Sequence, residues 1–145
     1  MKILFQKLKE EAILPRRATL DSAGCDLHAC LDSEVTVLPG ETRLIPTGFA
    51  MAIPQGFGGF IFARSGLGVR HGMVPANCVG VIDADYRGEV LVALRNHSQT
   101  PYTVRPGERV AQMVVLATPM WESEETESLD ETQRGAGGFG STGSR

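Results

Sequence analysis

Apolar residues come in short runs broken at close intervals by proline, glycine and charge, without the long three-to-four-residue spacing of an amphipathic helix. Ile3–Leu8, Leu27–Leu31, Val35–Leu38, Arg43–Ile45 and Phe49–Ile53 read as strands, as do Gly59–Ala63, Val90–Arg95, Tyr102–Val104 and Arg109–Leu116. Pro39-Gly40, Pro54-Gln55-Gly56 and Arg105-Pro106-Gly107-Glu108 mark turns, and Pro15 ends any element begun at Glu10. Only Ser65–His71 has room for a short helical turn. No stretch repeats. Many short strands with this punctuation predict an all-β fold, a sandwich or barrel with at most a short helix.

One stretch stands out within that pattern. Val79, Val81 and Ile82 read as the end of a buried strand, and Val90, Val92 and Leu94 alternate as the next begins. Between them Asp83, Asp85, Tyr86 and Arg87 crowd into a connection closed by Gly88. Such a segment is either an ordinary polar hairpin, since Asp and Gly favour turns, or a site held by two strands.

Bulk properties narrow the function. A chain of 145 residues with 42% apolar content suits one soluble domain with a real core. A net charge of -3 excludes wrapping a nucleic acid, which needs a basic face. An acidic protein that handled phosphates would have to gather its arginines locally or borrow a divalent cation. Three cysteines, Cys25, Cys30 and Cys78, lack a framework spacing and predict reduced thiols in a cytoplasmic setting. Cys25, His28 and Cys30 have no second ligand pair at zinc-site spacing. His71 and His97 stand alone. No run is long enough to span a membrane, and Lys2 and Lys7 bring charge too early for a signal peptide.

The composition changes after Trp121, which predicts two parts: a β domain over 1–121 and a flexible C-terminal arm over 122–145. Residues 122–133 are acidic and nearly free of apolar side chains, a solvated linker. Beyond them Gly135-Ala136-Gly137-Gly138-Phe139-Gly140 matches a dinucleotide fingerprint only in form, because neither a preceding strand nor a following helix is available. A phosphate-binding P-loop fails too, with Ser141 where the lysine belongs. The physics survives both rejections. Glycines let backbone N–H groups converge on an anion, Ser141 and Thr142 add hydroxyls, and Arg134 adds charge. Phe139 offers a flat face for a base.

Three further signals are ambiguous alone. Arg64 and Ser65 follow a strand and suit a phosphate cradle, or else Ser65 caps a helix beside a solvated Arg64. Asp26 in Ala23-Gly24-Cys25-Asp26-Leu27 suits a hydrated magnesium ion or a plain turn. Gln112, the polar residue inside the run Val110–Leu116, either pairs with backbone or points into a site.

Taken in order, these five stretches resemble the motif set of the trimeric deoxyuridine triphosphate nucleotidohydrolases (dUTPases). That family shows Ala-Gly-x-Asp-Leu, Arg-Ser-Gly, Asn…Gly-x-Ile-Asp-x-Asp-Tyr-Arg-Gly, Arg-x-Ala-Gln and a C-terminal Arg-Gly-x-Gly-Gly-Phe-Gly-Ser-Thr-Gly arm. Counterparts run from Ala23 to Gly143, nearly the whole chain. The resemblance implies a jelly-roll-like fold and a homotrimer with sites shared at subunit interfaces. It further implies Mg²⁺-dependent hydrolysis of dUTP to dUMP and pyrophosphate, which limits uracil in DNA and supplies dUMP for thymidylate synthesis.

By the same resemblance, Asp83 orients and deprotonates a water that attacks the α-phosphorus, a task that suits an ionised carboxylate. Asp26 holds the metal through water. Arg64, Ser65 and Gly66 bind phosphate oxygens, Gln112 places the α-phosphate, Arg134, Ser141 and Thr142 clasp the distal phosphates, and Gly140 also contacts the substrate. Asn77 with the backbone of Gly80 and Val81 reads the uracil edge. Cytosine would leave buried groups there unpaired, at about 1–3 kcal/mol each. Tyr86 packs on the deoxyribose and excludes a 2′-hydroxyl, and Phe139 stacks over the base. Ala63, where a proline is frequent, and Cys25, where a larger residue is frequent, depart from the family pattern. Two other readings stand beside this one: a dCTP deaminase, with Glu89 or Glu108 as its catalytic glutamate, and a regulatory trimer that binds nucleotide without turnover.

Overall fold

The computed structural model describes residues 1–138, and its regular elements all lie between Leu4 and Ala117. In chain order they are β1 (Leu4–Lys7), β2 (Cys25–His28), β3 (Val35–Val37), β4 (Thr42–Ala52) and β5 (Phe57–Phe62). A short helix α1 (Ser65–His71) follows, then β6 (Met73–Pro75), β7 (Gly80–Ile82), β8 (Glu89–Asn96), β9 (Tyr102–Val104) and β10 (Arg109–Ala117). Residues 118–138 hold neither strand nor helix.

The strands form a sheet in the order β1-β4-β8-β6, a second in the order β2-β10-β5-β7, and a two-stranded β3-β9 pair. Every pairing is antiparallel. The two larger sheets share one core. Ile45, Phe49, Val92 and Leu94 of the first pack in the same cluster as Leu27, Ile61, Ala111 and Met113 of the second, with Val37 and Val104 from the small pair. Alternation along β8 is clean: Val90, Val92, Leu94 and Asn96 are buried while the residues between them are not. The jelly-roll-like, all-β expectation is met.

Departures from the sequence reading have local causes. Arg43–Ile45 and Phe49–Ile53 are not separate strands but halves of β4, carried through Pro46-Thr47-Gly48 by a register shift between Pro46 and Ala50. Gly48 adopts φ +72° there, and its N–H donates to Glu89 Oε1 at 2.7 Å. Strand β6, short and ending at Pro75, has no counterpart among the predicted elements. The helix over Ser65–His71 is present, but its N-cap is Arg64 with no side-chain hydrogen bond, so Ser65 is not the cap.

The hairpin reading of Asp83–Gly88 also fails. β7 pairs with β5 in one sheet and β8 with β4 and β6 in the other, so the connection crosses between sheets. All three cysteines are free thiols. Among the described residues no helix is long and apolar enough to cross a membrane.

Candidate active site

The first group of predicted residues gathers where β2, β10 and the end of β5 meet. In β2 the two-residue period buries Leu27 completely and turns Asp26 and His28 to the opposite face. Gln112 pairs with Asp26 on one side and with Phe62 on the other, which brings the chain after β5 over the same spot. Arg64 Nε donates to Asp26 Oδ1 at 2.7 Å, and Arg109 Nη1 donates to Asp26 Oδ2 at 3.2 Å. Gln112 Nε2 donates to the Ala63 carbonyl at 2.9 Å, so of its two readings the backbone one holds for its amide nitrogen. That bond fixes the residue ahead of Arg64.

His28 completes the group. Its Nδ1 is buried without a hydrogen-bond partner. Burial pushes the imidazole below its ordinary value; Asp26 opposes this, while Arg109 and Arg64 reinforce it. Ser65 and Gly66 are exposed at the start of α1. A cavity of about 300 Å³ opens beside them, walled by Arg64, Arg70, His71, Tyr102, Glu108 and Arg109. Its charge is mainly positive in an acidic protein, the local concentration of arginine that phosphate handling requires.

The second group lies between the sheets. A cavity of about 200 Å³ is lined by Asn77, Gly80, Val81, Ile82, Asp83 and Tyr86, with Ile61 and Glu89–Leu91 behind. Asn77 enters from a tight turn in which Val79 N–H bonds back to the Asn77 carbonyl at 2.7 Å and Cys78 takes φ +63°. Positive φ at a non-glycine residue stores strain and is common at functional sites. Asp83 is exposed, and among the described residues no hydrogen bond or ion pair engages its carboxylate. The Tyr86 hydroxyl donates to the Glu89 carbonyl at 3.0 Å. Arg87 Nη1 donates to the carbonyls of Ala84 at 2.7 Å and Tyr86 at 2.9 Å, bracing the turn.

The two groups do not meet within one chain. Gln112 pairs with Phe62, and Ile82, next to Asp83, pairs with Gly59 on the far edge of the same strand. Three residues of rise and two strand spacings separate Gln112 from Ile82 by roughly 14 Å. Arg134 is exposed and lines neither cavity. Phe139, Gly140, Ser141 and Thr142 lie outside the described residues.

Sequence reasoning gave Arg109 no role of its own, weighed His28 only as a zinc ligand and named Glu89 only as a deaminase's glutamate. Simple alternation from Gln112 would turn Arg109 to the core face with Ala111 and Met113; the register shift between Arg109 and Ala111 puts it on the Asp26 face instead. Glu89 lines the second cavity, but its Oε1 is taken by the Gly48 N–H, and Glu108 accepts from Tyr102 Oη and Arg105 N–H. Neither glutamate is a free acid or base of the kind a deaminase needs.

Comparisons with known proteins point to one family. A family model described as dUTPase matches residues 10–143. A deoxyuridine 5'-triphosphate nucleotidohydrolase of Desulfitobacterium hafniense is 50% identical over 144 residues, covering 99% of this chain and 95% of that protein. Among solved structures, a mutant dUTPase of phage 80alpha superposes with a TM-score of 0.88 at 26% identity, covering 97% of this chain and 98% of the other. Another mutant of the Staphylococcus bacteriophage 80alpha enzyme, solved with dUpNHpp, gives 0.85 at 25% identity and 98% coverage of both.

Proposed function

The chain belongs to the dUTPase family, and from that premise we propose that it hydrolyses dUTP to dUMP and pyrophosphate with Asp83 as the base. The observation that carries the residue assignment is the exposed carboxylate of Asp83, engaged by no other described residue, at a cavity walled by strand backbone. Water attacks the α-phosphorus while Asp83 takes its proton. The bond from the α-phosphorus to the bridging oxygen breaks, and pyrophosphate leaves with the electron pair.

Recognition follows the two cavities. The Gly80–Val81 backbone and Asn77 read the uracil edge with donors and acceptors that cannot rotate, and Tyr86 stands against the sugar. Arg64, Ser65 and Gly66 hold phosphate oxygens, and Gln112 positions the α-phosphate. Because Gln112 and Ile82, the neighbour of Asp83, stand roughly 14 Å apart in one chain, Gln112 and Asp83 cannot both touch one α-phosphate there. A site assembled from different subunits resolves this, which supports the homotrimer. The arm over 122–145 closes the site of a neighbouring subunit, with Arg134, Gly140, Ser141 and Thr142 on the distal phosphates and Phe139 over the base.

The donor set also bears on magnesium. Among the described residues no cluster of three or more His, Cys, Asp or Glu side chains could cage a metal. Both Asp26 oxygens already accept from arginine. This fits a hydrated Mg²⁺ that arrives on the triphosphate and meets Asp26 through water. When bound, the ion supplies positive charge across the phosphates. A role in the nucleotide pool suits a cytoplasmic setting.

The test is direct. The pure protein is incubated with each deoxynucleoside triphosphate and Mg²⁺, and pyrophosphate and ammonia are followed. Pyrophosphate from dUTP alone is expected. Ammonia from dCTP, or no product from any nucleotide, overturns the reading.

A further inference from the structure

The connection between β7 and β8 folds its aromatic ring back over its own chain. Tyr86 N–H bonds to the Asp83 carbonyl at 3.2 Å, the Tyr86 hydroxyl reaches forward to the Glu89 carbonyl at 3.0 Å, and Arg87 ties the turn between them. The ring therefore has to cross the backbone at residue 88. A Cβ built on Gly88 would meet Tyr86 atoms at all three of its nearest contacts: Oη closest, well inside any real separation, then Cζ at 2.6 Å and Cε2 at 3.0 Å. Gly88 is not among the positive-φ glycines, so no backbone strain demands glycine there. What demands it is the space under the ring.

We infer that Gly88 is a specificity-determining residue that acts through Tyr86. The missing side chain is the seat that holds the ring in place, and with it the discrimination between deoxyribose and ribose. This rests on the reading of Tyr86 as the group facing the sugar. Tyr86 is 45% exposed, so its ring can swing into solvent when its seat is filled. Gly88→Ala should then move the ring with little disturbance of the core. Loss of the wall makes room for a 2′-hydroxyl, while the Asp83 base and the phosphate arginines stay where they are.

The experiment uses the full-length, assembled protein with dUTP and UTP as substrates and Mg²⁺ present, following pyrophosphate release. Gly88→Ala is expected to raise the kcat/KM ratio of UTP to dUTP by about tenfold. Tyr86→Ala should shift the same ratio in the same direction, and adding Gly88→Ala to it should change the ratio by less than about twofold, as expected for one contact counted once. A general structural role would lower both substrates together and leave the ratio alone. If Tyr86→Ala leaves the ratio unchanged, the sugar-facing reading of Tyr86 falls, whatever becomes of dUTP hydrolysis. If Tyr86→Ala shifts it and Gly88→Ala does not, the inference about Gly88 alone is overturned. Should Gly88→Ala fail to fold, the double variant decides. A folded double variant puts the collision at the Tyr86 ring and supports the inference, and an unfolded one puts it elsewhere and overturns it.

Discussion

Asp26 and Asp83 are the same side chain used in opposite ways. Asp26 is largely covered, its side chain 23% exposed, and each of its oxygens accepts from a different arginine. Asp83 is exposed at the end of β7, and among the described residues nothing holds its carboxylate. The first is a fixture. Its charge is already committed to orienting Arg64 and Arg109. The second retains the lone pairs that a general base must offer. The difference arises from topology: Asp26 sits inside a paired strand, whereas Asp83 opens a connection that leaves one sheet for the other.

The contrast breaks hardest at Asp83. Asp83→Asn keeps shape and polarity but removes the basic oxygen, so kcat should fall by about a thousandfold while dUTP binding persists. Single-turnover hydrolysis and equilibrium binding, measured on the same preparation, check it. Near-normal turnover would remove Asp83 as the base.

Next in size is the arm. A chain ending at Gln133 keeps every described strand and should remain folded and assembled, with kcat/KM for dUTP lower by about a hundredfold through lost positioning. Sedimentation and activity together decide. Unfolding on truncation would make the arm a structural element and not a lid.

Sequence pattern reached most of the fold because burial in this molecule follows strand alternation. Val90, Val92 and Leu94 could be placed inward from their spacing alone. Where the pattern misled, the cause was a local break in that period. Pro46 and Gly48 looked like an interruption and are a bulge within β4. The Asp83–Gly88 segment looked like a hairpin because neighbouring strands usually pair, and which sheet a strand joins is not written in its own residues. Arg109 was hidden by a register shift. At the site, residue types and order identified Asp26, Arg64, Gln112, Asp83 and Tyr86 as a set through family resemblance. That they fall into two groups is a property of strand register, and no spacing in the chain reveals it.

A smaller effect is expected at the fixture. Asp26→Asn leaves Arg64 and Arg109 without their shared charge and should raise KM for dUTP and its Mg²⁺ requirement by about tenfold, with a smaller change in kcat. Stability should drop by only about 1 kcal/mol, because the Arg109 partner is half exposed and solvent screens it. Mg²⁺ titration of initial rates gives the first quantity and urea unfolding the second. A kcat loss as deep as that of Asp83→Asn would erase the distinction between the two aspartates.

The smallest effect probes how firmly the arginine cavity is walled. The Tyr102 ring packs on His71 with centroids 5.0 Å apart, and its hydroxyl donates to Glu108, which also accepts the Arg105 N–H. Burial, then the bond to Glu108, pushes the phenol up from 10.0 to about 12. A pKa raised on folding means that the folded chain holds this proton more tightly than the unfolded one. The bond's contribution is therefore complete below pH 10.0 and is lost as pH climbs toward about 12. Tyr102→Phe keeps the ring against His71 and deletes the proton, so it should cost about 1 kcal/mol or less at neutral pH, the value being held down by partial exposure. The gap between wild type and variant should stay constant up to about pH 10 and close by about pH 12, as urea midpoints across that range would record. A gap that persisted at the alkaline end would mean that the hydroxyl contributes through packing alone, and the cavity wall would then owe nothing to the Glu108 bond.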